Sequence, residues 1–159
     1  ALHAAGVRLS VGAVAVPEHL AAVEALRAAL PAAVPLWINA QKPGPRYDAD
    51  AVARWSALDP DFALDARPHR TRGRACLAGE EALHVDGDGT IHRCHFVAGR
   101  LGNLYTDDLA ALLAPRPCPR AKCDCYIGYA WLPDLGLRER YGDDLVARIR
   151  QSHGQRPSS

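Results

Sequence analysis

VRLSVGAVAVPEHLAAVEALRAALPAAVPLWINA, Val7 to Ala40, sets two strand signals around one helix signal. Val7–Val16 is β-branched and largely apolar, as suits a strand buried on both faces. Pro17 opens a helical stretch in which Leu20, Val23, Leu26 and Leu30 share one face, and Pro31 ends it. Val34–Ala40 is the next strand, broken by Gln41-Lys42-Pro43-Gly44-Pro45. Asp48–Leu58 predicts a second helix, capped by Asp48 or Asp50, with Ala51, Val52, Trp55 and Leu58 inward. Strand, helix, strand, helix is the grammar of a parallel α/β sheet, in which sites collect at the C-terminal ends of strands. Two such units close neither a barrel nor a stable sheet, so further strands are expected before Val7.

Outward from this stretch the pattern changes. Residues 1–66 form one expected domain; residues 67–159 form a second, small, α+β and cysteine-rich. There ALHV and TIHRCHFV flank Asp86-Gly87-Asp88-Gly89, a β-hairpin signature. The DGDG turn lacks the later ligand positions of a calcium loop. Alternation sets His92, Cys94 and Phe96 on one face of the second strand and Arg93 and His95 on the other. Leu101–Tyr105 is expected to turn, Thr106 to cap a short helix, and Gly142–Ile149 to form another helix. The Arg67–Arg74 run, with four arginines, is expected to be a solvated linker.

The 159 residues carry a net charge of +1, which gives no global case for nucleic acid or an acidic membrane as partner. No run reaches the ~18 apolar residues of a membrane span, and no signal-peptide order opens the chain, so a cytoplasmic setting with reduced thiols is expected. The chain contains no methionine and begins abruptly at a strand-like segment, which leads us to expect the C-terminal part of a longer protein.

All five cysteines lie in the second region. Cys76 and Cys94 fall at the two ends of the hairpin, and Cys118, Cys123 and Cys125 share one proline-rich loop. No pair of close CxxC knuckles marks a zinc ribbon, yet four or five sulfurs converging on one point suit either zinc or a [4Fe–4S] cube. Cys76 and Cys94 are the first expected ligands. Two of Cys118, Cys123 and Cys125 complete the set, with Cys118 and Cys125 ahead because the CDC spacing strains adjacent ligands.

The spacing Cys76-x12-Gly89-x4-Cys94, with Arg72-Gly73 before it and Leu101-Gly102-Asn103-Leu104 after it, resembles the SPASM/twitch auxiliary domain of radical SAM enzymes. The series GTIHRCHF, GNLY and RPCPRAKCDCYIGY further resembles a bacterial radical SAM family over essentially the whole chain. The resemblance implies that Val7–Leu58 is the end of a partial (β/α)6 barrel and that the second region holds one auxiliary [4Fe–4S] cluster. It implies S-adenosylmethionine (SAM) as cofactor of the full-length enzyme, radical chemistry on a peptide or small metabolite, and an electron donor such as flavodoxin or ferredoxin. Ser10, Asn39 and Gln41 would then lie on the SAM or substrate side of the barrel. The CxxxCxxC loop that holds the catalytic cluster of that family does not occur, so this stretch is expected to be inactive alone. The reading from a different class is a non-catalytic, zinc-stabilised four-cysteine module.

Overall fold

A computed structural model describes residues 2–44 and 47–150 of the chain, so Pro45 of the expected strand break lies outside the described residues. The chain divides into two units: 1–68 together with 140–159, and 69–139.

In the first unit β1 (Val11–Ala15) and β2 (Leu36–Ala40) pair in parallel, with Val11 opposite Leu36 and Ala15 opposite Ala40. Between them α1 (Leu20–Ala29) follows a short 3-10 turn at Pro17–His19. The helix buries Leu20 and Val23, and Leu30 at its C-terminal end packs against the same core, while Leu26 between them is exposed. The second helix, α2 (Ala49–Leu58), starts at Asp48, whose carboxylate accepts the Ala51 N–H at 2.7 Å. A single turn, α3 (Phe62–Asp65), follows. Ala15, Leu36, Ile38 and Ala40 on the sheet face Leu20, Val23, Trp55 and Phe62, which together form the core. Each such large apolar side chain contributes about 1.5–3 kcal/mol on burial.

The outer edge of β2 is closed by side chains. Successive N–H groups of a strand point to opposite edges, and on the edge away from β1 those of Ile38 and Ala40 are taken by carboxylates. Asp59 accepts from Ile38 N–H at 2.8 Å and Asp65 from Ala40 N–H at 2.6 Å. Both acids are buried, and Lys42 pairs with Asp65 at 3.1 Å. A further strand is thereby kept off this edge.

The second unit contains β3 (His69–Arg70), β4 (His84–Val85), β5 (Thr90–Cys94), β6 (Val97–Asn103), α4 (Leu109–Leu112), β7 (Lys122–Cys123) and α5 (Tyr126–Tyr129). Strands β4, β5 and β6 make an antiparallel sheet in that order, and β3 pairs with β7. Several expectations are corrected here. Leu101–Asn103 continues β6 instead of turning, because the reversal takes place at His95-Phe96. Asp108, not Thr106, caps α4 by accepting the Ala110 N–H at 3.0 Å. The arginine-rich run carries the boundary between the units at Pro68/His69 and keeps its four arginines exposed, as a solvated linker would, but it also supplies β3, buries Thr71, and ends in an Arg74–Asp134 ion pair.

Assignment of residues 140–159 to the second domain also fails for the described part of that segment. The helix α6 (Leu137–Tyr141) is followed by a 3-10 turn at Gly142–Asp144, not by a helix to Ile149. Arg140 and the Tyr141 hydroxyl bind the buried Asp61 carboxylate, and Arg8 pairs with Asp144. These charges belong with the first unit. No helix among the described residues is long and apolar enough to cross a membrane.

Candidate metal centre

The cysteine region is assembled by backbone bonds that join distant loops. Gly73 N–H donates to the Cys118 carbonyl at 2.8 Å, and Cys118 N–H donates to the Arg74 carbonyl at 2.9 Å, so the turn before Cys76 is tied to the loop of Cys118. Cys94 ends β5, opposite Val97. Cys123 sits in β7 opposite His69, whose ring lies 4.7 Å from that of Tyr129. All five thiols are free; Cys118 and Cys123 are buried, while Cys76, Cys94 and Cys125 are half-buried.

Four of them interact electrostatically. Burial pushes the Cys76 thiol up, and Cys118 and Cys94 push it in the same direction while Arg93 opposes them. Cys123 is pushed up to about 11, again by burial first, with Cys94 and Cys118 adding to the rise. Cys94 and Cys118 thus lie within reach of the charge of both Cys76 and Cys123, and Cys123, which the CDC spacing ranks last, joins the group. Cys125 holds the start of α5, its carbonyl accepting from Gly128 and Tyr129 N–H. Among the described residues no three Cys, His, Asp or Glu side chains are gathered closely enough to hold a single ion.

Gly128 explains how Cys123 is accommodated. A Cβ there would stand 2.5 Å from Cys123 Sγ and 3.2 Å from the Phe96 ring. Only glycine lets α5 approach the thiol this closely. Arg120 caps the other side: its guanidinium lies 5.4 Å from the Phe96 ring centre and donates to the Phe96 carbonyl at 2.9 Å.

The histidines next to Cys94 are engaged elsewhere. His84 and His92 face each other across β4 and β5 and both contact Asp86, each at 2.9 Å. His95 departs from simple alternation: it lies past the end of β5, and its ring meets that of His84 at 4.7 Å. The expected barrel-side residues do come together in the first unit, but with the C-terminal segment. Trp37 donates to the Ser10 hydroxyl, Ser10 donates to the Ala147 carbonyl, and Asn39 accepts from Arg148, which also covers the Trp37 ring at 4.5 Å. Gln41 enters through its backbone N–H, which donates to the Tyr47 hydroxyl at 2.9 Å.

Sequence reasoning missed Arg93. A strand reading TIHRC with Ile91 on its buried face places Arg93 on that same face, and this parity was the available signal. The Asp59 and Asp65 edge caps left no comparable trace, since Asp after a helix is common. No family model matches the chain, and no curated protein or solved structure matches it significantly.

Proposed function

We propose that this chain is the C-terminal region of a radical SAM enzyme and that its second unit holds one auxiliary [4Fe–4S] cluster. The observation that carries the reading is the grouping of Cys76, Cys94, Cys118 and Cys123, four soft donors drawn from two loops and two strand ends. The donor set suits a thiolate-ligated centre. A zinc ion with four sulfurs at about 2.3 Å needs them almost in contact. A cube takes one sulfur at each iron corner and so accepts a wider set.

The first unit supports the same reading. A parallel pair ordinarily belongs to a larger covered sheet. Here the β2 edge is closed by Asp59 and Asp65, so additional strands would join at β1, and β1–β2 would be the last pair of the barrel. In the complete enzyme, SAM bound to the barrel cluster would be the radical source, and the auxiliary cluster would anchor a substrate or take up an electron. The chain's own residues would hold that auxiliary cluster through the four thiols and shield it behind Phe96, Arg120 and α5. The substrate would be a peptide or a small metabolite, the electron donor a flavodoxin or ferredoxin, and the setting cytoplasmic.

Single Cys→Ser variants test the ligand set after anaerobic reconstitution. Cys76→Ser, Cys94→Ser, Cys118→Ser and Cys123→Ser should each lose iron and the visible charge-transfer absorption, while Cys125→Ser keeps both. Loss in Cys125→Ser with retention in Cys123→Ser would overturn this quartet.

A further inference from the structure

We propose that Arg93 is the built-in counterion of the cysteine centre, as well as the residue that positions its loops; this rests on the thiolate-ligated centre proposed above. Arg93 is only 6% exposed. Its guanidinium donates to the carbonyls of Ala78 at 2.9 Å, Arg116 at 2.8 Å and Pro117 at 2.6 Å. Ala78 is two residues from Cys76, Pro117 precedes Cys118, and Arg93 itself precedes Cys94. One side chain thus links the segments of three candidate ligands. The close approach is built in: Gly79 has φ +94°, and a Cβ there would stand 3.0 Å from the Arg93 Cβ.

The acceptors are all neutral. Among the described residues Arg93 forms no ion pair with a carboxylate, unlike the buried Asp61 and Asp65, which are both paired with cations. A buried guanidinium without an opposite charge is costly, and proteins rarely keep one uncompensated. Its three carbonyl bonds set the guanidinium among the segments that carry Cys76, Cys94 and Cys118. Four thiolates around a zinc ion or an iron–sulfur cube carry net negative charge, and that charge is the missing partner. An added electron makes such a cluster more negative, so the nearby cation favours the reduced form and raises the reduction potential.

The test compares Arg93→Gln, which loses the charge, with Arg93→Lys, which keeps it but not the planar fork. Iron, sulfide and zinc content of the reconstituted wild-type protein is measured first. If it holds the cluster, mediated dithionite titration should show a lower midpoint potential in Arg93→Gln and a value close to wild type in Arg93→Lys. A fully loaded Arg93→Gln protein with unchanged potential would overturn the proposal. Should Arg93→Gln hold no cluster, retention in Arg93→Lys supports the charge role, and loss from both overturns it. If the wild type takes zinc without sulfide, the iron–sulfur reading fails by itself. The counterion role is then read from zinc competition: at least tenfold weaker binding in Arg93→Gln than in Arg93→Lys supports it, and equal binding overturns it.

Discussion

The two units are held together by different means. In the first, Trp55, Phe62, Ile38 and Ala15 are 2% exposed or less and pack as one apolar cluster, with acids used at the rim to close a sheet edge. In the second, arginines reach inward and bind carbonyls of neighbouring loops: Arg93 to 78, 116 and 117, and Arg116 to 79, 112 and 114. Its strands are short, two of them only two residues long besides β4, and its loops carry the cysteines. A small unit of this kind ordinarily needs a metal or covalent staple. The first unit's order comes from one apolar cluster, whereas the second adds to buried Ile91, Tyr129 and Leu137 a set of arginine–carbonyl bonds around the loops of the proposed centre.

Removing the metal should therefore separate them most. Chelation of the reconstituted protein should abolish slow amide exchange in residues 69–139 and leave that of β1, β2 and α2 in place. Equal protection in both units after complete metal removal would show that the second unit does not depend on the centre. Trp55→Ala should act in the opposite place, costing about 3–5 kcal/mol in urea unfolding of the first unit while metal content in the second stays unchanged. Gly128→Ala comes next. Its Cβ would collide with Cys123 Sγ, and the expected cost is about 1–3 kcal/mol with reduced metal loading, checked by thermal unfolding and metal analysis.

The smallest effect concerns pH in the first unit. Burial, the largest cause, raises the Asp59 carboxyl above the ordinary value, against the opposing bonds from Ile38 and Asp61 N–H. A raised folded value means that the folded state holds this proton more tightly. The contribution is present in full below the unfolded value and is lost as pH rises through the folded one. Asp59→Asn keeps an acceptor for Ile38 N–H and removes the titration. Its stability relative to wild type should increase as pH rises through that window in urea titrations; a decrease would contradict the assignment.

The parts visible in the sequence are those with local causes. The pattern of Val7–Ala40, the Asp48 cap and the Trp55 face were legible because periodicity and capping act over a few residues. The cysteine group was legible as a composition. The order within it was not, because whether Cys123 or Cys125 turns inward depends on β7 pairing with His69 and on the Gly128 contact. Strand β6 was hidden behind the turn signal of Gly102-Asn103, whose backbone is instead fixed by Asp107 accepting Asn103 N–H at 2.7 Å. The carboxylates closing β2 act 21 and 25 residues from the N–H groups they bind, beyond the reach of any local pattern.

The proposed function stands or falls with an iron–sulfur cluster on Cys76, Cys94, Cys118 and Cys123. Its most direct test is iron, acid-labile sulfide and zinc analysis of anaerobically reconstituted protein. We predict iron and sulfide in equal amounts, about four of each per chain as a [4Fe–4S] cube requires, with zinc absent. One zinc per chain without acid-labile sulfide would contradict it and leave the zinc-stabilised module in its place.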